Sequence, residues 1–165
     1  MNICIWQKQV NSRLGGYMKV AIGSDHAGFE MKSCLVLELG NKGIEIIDCG
    51  TNSSASVDYP DYAGKVCGLV TSKKVEFGIV ICSTGIGISI AANKIHGIRA
   101  ALCHTEFSAR MARQHNNANV LALGGCVLGK NLALAIAEVF LSEPFSHGER
   151  HIRRIDKMMS FEKEG

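Results

Sequence analysis

Short apolar segments alternate with amphipathic segments five times along this chain, and this alternation restricts the folds that it can adopt. The apolar segments predict strands at 19–22, 45–48, 77–81, 98–102 and 120–123. The segments between and after them predict helices at 30–41, 61–72, 88–93, 106–114 and 132–141. Because repeated strand–helix units close right-handed crossovers, the strands should form one parallel sheet with helices on both faces. The loops at the carboxyl ends of the strands should then share one edge of the molecule, where we expect the function to lie.

The length and composition indicate one globular domain, which we assign to residues 18–165. A chain of 165 residues with 47% hydrophobic content can bury a sheet and its helices, but it has no room for a second such domain. Residues 1–17 contain Lys8 and Arg13 but no continuous apolar stretch, and we interpret them as a mobile N-terminal extension. Met18 could be the true start, and a weak presequence is the alternative interpretation of the extension.

The cysteines and the charges exclude several classes of protein. Seven cysteines, an odd number without a C-x-x-C pair, indicate neither a disulfide framework nor a zinc ribbon, so we predict a cytoplasmic protein without a metal. No apolar run approaches the length that spans a membrane. The net charge is +3, and the basic group Arg150, Arg153, Arg154 and Lys157 suits a small anion but is too sparse for a nucleic acid. A solvated face of a terminal helix is the alternative interpretation of this basic group.

The segment 77–94, FGIVICSTGIGISIAANK, carries the strongest functional signal. Its apolar start leads to Cys82 at the end of a predicted strand, and the small residues that follow let backbone N–H groups converge on one point. A predicted helix begins directly after them and adds its positive end to the same place. Thiols ionise more readily in such surroundings, so Cys82 could take a proton from carbon while the N–H groups hold the resulting enediolate. The alternative is a buried structural cysteine on a tight turn.

Three other functions of such a loop fail on the spacing of its residues. A dinucleotide-binding loop needs a third glycine where Ile90 stands, and a P-loop needs Gly-Lys-Ser/Thr where the chain has Gly87, Ile88 and Ser89. A cysteine phosphatase needs an arginine in a short loop after its nucleophile, but the first arginine after the cysteine is Arg99. We therefore predict no nucleotide cofactor.

Further polar side chains follow the predicted strands or end a helix, and we expect them at the same edge as the thiol. They are Ser24, Asp25, His26, the 58–61 turn, His104, Cys126 and the helix end at 114–117. Some have a structural alternative: Asp25 could cap the first helix, and His115 with the two asparagines after it could simply end one. The combination of a thiol, a carboxylate, imidazoles, backbone donors and arginines in one chain favours a catalytic site.

In this order, the motifs resemble those of the type B ribose-5-phosphate isomerases and their relatives that act on galactose 6-phosphate and allose 6-phosphate. The resemblance runs from residue 18 to about 159 and consists of GSDHAGFE at 23–30, DYPDYA at 58–63, ICSTGIGISIAANK at 81–94, GIRAALC at 97–103, RQHNNANVLALGG at 113–125 and GERHIRRI at 148–155. It implies an α/β fold of the Rossmann-like kind, a three-layer α/β/α sandwich with a five-stranded parallel sheet. It also implies interconversion of ribose 5-phosphate and ribulose 5-phosphate, in the non-oxidative branch of the pentose phosphate pathway. The enzyme would be a homodimer or tetramer with sites at subunit interfaces and without a metal or other cofactor.

The resemblance also implies roles for individual residues. Cys82 would move the proton between C1 and C2, Thr84 would assist at the sugar oxygens, and His115 would open the furanose ring. Asp25 would support the catalysis while it binds a sugar hydroxyl. The substrate-binding residues would be Asp25, His26, Tyr59, Ser83, Thr84, Gly85, Ile86, Gly87 and Asn116 at the sugar, with Arg150 and Arg154 at the phosphate.

Two positions depart from the pattern of that family. Ser83 replaces a frequent glycine and fits only if its backbone avoids positive φ. Cys126 stands where many relatives carry a phosphate-contacting arginine, and Arg153 could compensate, although its place on a helix turns it away from Arg150 and Arg154. Two alternative functions stay open: an isomerase of a phosphorylated hexose, and a non-catalytic sugar-phosphate-binding subunit.

Overall fold

The computed structural model describes residues 18–163 of the chain. Residues 1–17, interpreted above as an N-terminal extension, lie outside this range. The strands are β1 (Lys19–Ser24), β2 (Glu45–Asp48), β3 (Phe77–Cys82), β4 (Ala100–Leu102) and β5 (Val120–Gly124). The helices are α1 (Phe29–Asn41), α2 (Tyr59–Thr71), α3 (Ile86–Ala92), α4 (Glu106–Asn116), α5 (Lys130–Ser142) and α6 (Glu149–Ser160), with short 3-10 helices at His26–Gly28 and Phe161–Lys163.

The five strands form one parallel sheet in the order β2-β1-β3-β5-β4. The central strand β3 pairs with β1 on one side and with β5 on the other, where Cys82 lies opposite Gly124. Helices α1, α4 and α5 cover one face, and α2 and α3 cover the other. The predicted α/β sandwich with a five-stranded parallel sheet is therefore confirmed. Within residues 18–163, no helix is long and apolar enough to cross a membrane.

The strand β4 is shorter than the predicted strand at 98–102. It begins only at Ala100 because the preceding residues form a turn, in which the Ile98 N–H donates to the Ile95 carbonyl at 3.1 Å. The Arg99 N–H then donates to the side chain of Asn119 at 2.8 Å. This side-chain bond replaces the ladder bond that a longer strand would make.

The alternation of side chains along β3 directs Cys82 toward α2 and α3. Ile79 and Ile81 pack in the layer beneath α1, α4 and α5, whereas Val80 and Cys82 pack in the opposite layer, together with Cys67. Burial raises the pKa of the Cys67 thiol to about 12, so this cysteine stays protonated in the interior. Cys82 differs from Cys67 in its position, because it is the last residue of β3.

An ion pair with one buried partner joins α1 to the end of β2. The Lys32 side chain is 2% exposed, and its Nζ lies 2.7 and 2.6 Å from the two carboxylate oxygens of Asp48. Asp48 Oδ1 also accepts the Gly50 N–H at 2.9 Å, and the Gly50 carbonyl in turn accepts the Ser24 N–H at 2.6 Å. The pair therefore fixes the loop after β2 against the end of β1.

We expect Lys32→Met to lower the free energy of unfolding by about 1–3 kcal/mol, because Asp48 loses a partner that lies inside the protein. The loss should stay below that of a fully buried pair, since the Asp48 side chain is 37% exposed and can take up water. Lys19→Met is the matched control, since its pair with Glu45 is 45% and 51% exposed and should contribute less to the free energy of unfolding than the pair of Lys32 with Asp48. Urea denaturation measures both changes. Equal losses in the two variants would contradict a larger contribution of the pair between Lys32 and Asp48.

Candidate active site

Cys82 is the last residue of β3, and its buried sulfur accepts a hydrogen bond from the backbone. The residue is 5% exposed, and the Gly85 N–H donates to Sγ over 3.2 Å. The Cys82 carbonyl accepts the Gly125 N–H at 2.8 Å, which ties the end of β3 to the loop after β5. The sulfur is therefore held at the carboxyl end of the central strand.

The turn 83–87 leads from the thiol into α3, and Gly85 is its tightest point. Gly85 has a φ of +78°, and a Cβ there would lie 2.5 Å from Leu102 Cδ1 and 2.8 Å from the carbonyl carbon of Leu123. Only glycine tolerates both the left-handed backbone and this close approach. Ser83 does not belong to the non-glycine residues with positive φ among residues 18–163, so the serine meets the condition stated for it above.

Thr84 and Tyr59 lie on the outer side of this turn. Thr84 is exposed, and its Oγ1 accepts the Ile86 N–H at 3.3 Å. Tyr59 begins α2, and its ring lies against Gly87, where an added Cβ would come within 2.8 Å of Cζ and 2.9 Å of Oη. The absence of a side chain at Gly87 therefore lets the tyrosine ring pack against this side of the turn.

Asp25 and His26 stand beside the thiol at the end of β1. The Asp25 N–H donates to the Ile81 carbonyl at 3.2 Å, and Asp25 Oδ1 accepts two N–H groups of the following turn, both at 3.0 Å. The buried carboxylate therefore caps a 3-10 helix, as the structural alternative for this residue predicts. His26 Nδ1 accepts the Val57 N–H at 3.2 Å, so a neutral ring carries its proton on Nε2.

A pocket of about 550 Å³ opens beside His26. Its wall includes Ser54, Lys130 and the exposed Cys126, whose N–H donates to the Ser83 carbonyl at 2.9 Å. The pocket thus adjoins the turn that carries the thiol. We refer to the following residues together as the thiol cluster: Asp25, His26, Tyr59, Cys82 and the turn 83–87.

A second group of polar side chains surrounds the end of α4, and we call it the imidazole cluster. It consists of His115, Asn116, His151, Arg150 and Arg154. The rings of His115 and His151 lie 4.3 Å apart between their centroids and are tilted by 48°. Arg150 and Arg154 are exposed and one turn apart on α6, so the helical spacing predicted for them is confirmed. Two guanidinium groups on one helix face can bind a single dianion.

The two clusters lie at opposite ends of the strands: the thiol cluster lies at the carboxyl ends and the imidazole cluster at the amino ends. Helix α4 runs back from the carboxyl end of β4 to the amino end of β5, so its last turn lies beside the strand starts. Arg99, next to the start of β4, donates from Nε to the Asn116 carbonyl at 3.2 Å. The strand β5 between the two edges is about 13 Å long at roughly 3.3 Å per residue. The expectation that the helix end at 114–117 shares an edge with Cys82 is therefore wrong for a single chain, because a helix between parallel strands runs antiparallel to them.

Arg113 holds the end of α4 that carries His115. Its buried guanidinium donates from Nη1 to the Ala118 carbonyl at 2.6 Å and to Asn117 Oδ1 at 2.9 Å, and it lies 4.6 Å from the centre of the Phe77 ring. Burial lowers the pKa of Arg113 to about 10, so the group stays charged at neutral pH. Asn117 has a φ of +45°, the left-handed turn that asparagine favours at a helix end.

His151 is a candidate functional residue that the sequence analysis missed. It is 6% exposed, its Nδ1 lies 2.8 Å from Ser146 Oγ, and its Nε2 accepts the Arg150 Nε–H at 3.1 Å. Burial lowers the pKa of His151, and the neighbouring His115, Arg150 and Arg154 act in the same direction. Its place beside Arg150 in the motif at 148–155 was the available signal, but nothing in a single helix indicates which side chain the fold will bury.

Arg153 lies on another face of α6. It lines a separate groove with Glu149, Ile152 and Asp156. As its helix position predicts, Arg153 is therefore turned away from Arg150 and Arg154.

The two clusters together contain groups that move protons and bind anions. Nowhere in residues 18–163 do three or more His, Cys, Asp or Glu side chains come together in a way that could hold a metal ion. The groups present are a thiol, a carboxylate, imidazoles, hydroxyls and guanidinium groups. Such a set can transfer protons and bind a hydroxylated phosphate ester.

Comparison with known proteins identifies relatives of this chain. Residues 20–158 match the family model described as Ribose/Galactose Isomerase. Ribose-5-phosphate isomerase B of Escherichia coli (strain K12) is 46% identical over 145 residues, which cover 88% of this chain and 97% of that protein. The structure of ribose-5-phosphate isomerase B from Clostridium thermocellum matches with a TM-score of 0.87 and 50% identity, over 89% of this chain and 99% of that one. The crystal structure of ribose-5-phosphate isomerase B from Mycoplasma genitalium with bound ribulose 5-phosphate matches with a TM-score of 0.84 and 41% identity, over 90% and 98% of the two chains.

We expect Gly85→Ala to lower the free energy of unfolding by more than about 2 kcal/mol, because the added Cβ would meet the backbone of β5 at a positive φ. Gly64→Ala in α2 is the matched control, since nothing lies within 4 Å of an added Cβ there. The control should be neutral or stabilising by up to about 1 kcal/mol. Urea denaturation of both variants measures the difference. A Gly85→Ala protein as stable as the wild type would contradict the packing of the turn against β5.

Proposed function

This chain belongs to the ribose/galactose isomerase family, and we infer that it is an aldose–ketose isomerase, which interconverts D-ribose 5-phosphate and D-ribulose 5-phosphate. The observation that carries this inference is the buried Cys82 thiol at the head of a turn of small residues. The reaction moves one proton between neighbouring carbons, and a thiol base beside backbone donors can perform it. A protein that only binds a sugar phosphate needs no such base, which argues against the non-catalytic alternative.

In this proposal Cys82 transfers the proton. As a thiolate, it takes the proton from C2 of the open-chain aldose, a C1–C2 double bond forms, and the carbonyl oxygen on C1 becomes an oxyanion. The proton on O2 then passes to O1, the carbonyl forms at C2, and the thiol returns its proton to C1. The Thr84 hydroxyl and the backbone N–H groups at the start of α3 supply the hydrogen bonds that the enediolate needs.

The remaining residues of the two clusters prepare and hold the substrate. His115 opens the furanose ring by proton transfer, since the closed ring hides the carbonyl that acidifies the proton on C2. His26, with a proton on Nε2, and Asn116 bind sugar hydroxyls. Arg150 and Arg154 bind the phosphate with charge-assisted hydrogen bonds.

A second copy of the chain completes the site in this proposal, because the thiol and imidazole clusters of one chain lie at opposite edges of the sheet. In a two-fold dimer, the thiol cluster of each chain would face the imidazole cluster of its partner. Exposed apolar side chains of the thiol cluster and of the helices that begin at the same end of the sheet support this arrangement. Ile86 and Ile90, one turn apart on α3, are 54% and 56% exposed, and Phe107 at the start of α4 is 69% exposed. Apolar surface of this kind is typical of protein contacts.

The cysteines support a cytoplasmic location. All six cysteines of the described residues are free, and the proposed base must stay a thiol. A reducing compartment preserves it in that state. The proposed chemistry uses only side chains and backbone donors, so it requires no cofactor.

We expect the purified protein to form ketose from ribose 5-phosphate, and Cys82→Ala to lower kcat by a factor of roughly 10² to 10⁴, the range for a positioned base. Cys34→Ala, at a half-buried cysteine of α1, is the matched control and should keep nearly wild-type turnover. Galactose 6-phosphate and allose 6-phosphate, assayed beside the pentose, test the hexose alternative. A wild-type protein inactive on all three sugars would overturn the isomerase assignment. Near-normal turnover by Cys82→Ala would overturn only the role of Cys82.

We also expect Cys82→Ala and His115→Ala to restore each other's activity when the two chains are refolded together. A mixed dimer with shared sites holds one site with both native residues and one with neither. Because equal amounts form mixed dimers in half of all cases, about a quarter of the wild-type activity should return.

The control for this experiment pairs two variants of the same cluster. His115→Ala with Arg154→Ala leaves every site with one substitution, so no activity should return. Recovery in neither mixture, with dimers confirmed by size, would contradict a site shared between chains.

A further inference from the structure

His151 links the proposed phosphate group of the imidazole cluster to the peptide that precedes His115. Its Nε2 accepts the Arg150 Nε–H at 3.1 Å, and its Nδ1 lies 2.8 Å from Ser146 Oγ. Ser146 Oγ donates to the Gln114 carbonyl at 2.6 Å. The His115 ring, one residue further along α4, lies 4.3 Å from the His151 ring. One buried side chain thus contacts the groups proposed to bind the phosphate and to open the ring.

The chemistry of these partners determines where the His151 ring carries its proton. A guanidinium can only donate, so Nε2 must be an acceptor without a proton. A neutral ring then holds its proton on Nδ1 and donates it to Ser146 Oγ, while the Ser146 hydroxyl donates to Gln114. If Nε2 carried a proton, its N–H and the Arg150 Nε–H would face each other as two donors without an acceptor. All three hydrogen bonds are therefore satisfied only by the neutral Nδ1–H tautomer.

We propose that His151 is a positioning residue, which as the neutral Nδ1–H tautomer holds the Arg150 guanidinium and the His115 ring in the geometry that the reaction needs. The proposal rests on the isomerase function inferred above. Arg150 is exposed and its side chain has several rotatable bonds, so a bond to a buried ring restricts the guanidinium before the phosphate arrives.

The groups around His151 favour the neutral ring. His115 faces it from α4, Arg150 and Arg154 face it from α6, and the connecting segment contributes the uncharged Ser146. Burial, followed by His115, Arg150 and Arg154, lowers the pKa of His151 below its ordinary value of 6.5, and the hydrogen bond with the Gln114 backbone offsets these effects only in part. The neutral form, and with it the positioning, therefore persists to lower pH than in an imidazole of ordinary pKa and is lost as the pH falls through the lowered value.

Two substitutions separate the two hydrogen bonds of the ring. The amide of glutamine reaches the place of Nε2, so His151→Gln keeps an acceptor for Arg150. The shorter amide of asparagine matches Nδ1, so His151→Asn keeps a donor for Ser146 but has nothing for Arg150. We expect His151→Asn to raise both KM for ribose 5-phosphate and the Kd of inorganic sulfate about five- to tenfold, while His151→Gln stays within about twofold of the wild type.

The control for loss of an imidazole is His96→Gln, an exposed histidine outside both clusters, which should leave KM and the sulfate Kd unchanged. Sulfate binding is measured by calorimetry and needs no turnover. Equal effects of His151→Asn and His151→Gln, or no effect of His151→Asn, in variants with wild-type unfolding temperatures would overturn the proposal.

The position of the proton is measured on the wild-type protein, whatever the stability of the variants. Long-range ¹H–¹⁵N correlation spectra distinguish the two neutral tautomers and the doubly protonated ring. We expect the Nδ1–H tautomer of His151 at pH 7. An Nε2–H tautomer or a doubly protonated ring at pH 7 would overturn the proposal. A wild type that does not isomerise ribose 5-phosphate would overturn the proposed function, while this spectrum would still decide the role of His151.

Discussion

The parallel direction of the five strands decides where each functional group of this chain can lie. Because β1 and β3 point the same way, Asp25 and Cys82 reach one edge of the sheet together. Each intervening helix must return to the other edge, and α4 therefore carries His115 away from the thiol. The fold itself divides the polar groups into two clusters. In the function proposed above, a two-fold partner would bring a thiol cluster and an imidazole cluster together.

The buried cysteines Cys67 and Cys82 differ in their positions in the fold. Cys67 and Cys82 belong to the same hydrophobic layer, and both are buried. Cys67 lies within α2, where burial raises the pKa of its thiol to about 12. Cys82 lies at a strand end, where the Gly85 N–H donates to the sulfur. Gly85 permits this arrangement, since any side chain there would meet β5.

Local patterns in the sequence predict most of the fold and the thiol cluster. The continuous apolar run at 77–81 indicates a buried parallel strand, and the glycines that follow it indicate a tight turn into a helix, both as observed. The start of β4 could not be predicted in this way. It depends on the side chain of Asn119, which lies 20 residues further along the chain and accepts the N–H of Arg99.

The imidazole cluster shows a different limit of local patterns. The spacing of Arg150 and Arg154 predicts a shared helix face, which depends only on α6 itself. The place of His115 depends on the direction of α4 relative to the strands, which the pattern of α4 alone does not reveal. His151 depends on contacts with Ser146 and His115, which come from two other segments, so no periodicity could reveal it.

The cysteine at position 126 affects the proposed binding of the phosphate. A thiol there supplies no guanidinium, and Arg153 does not replace one, because it lines a groove with Asp156 on another face of α6. Binding of the phosphate in the proposed function then depends on Arg150 and Arg154, which are both exposed side chains. When few cations face a dianion, the orientation of each matters more, since a misplaced guanidinium loses two charge-assisted hydrogen bonds at once. A buried acceptor that orients Arg150 in advance is thus most valuable in a chain that lacks an arginine at position 126.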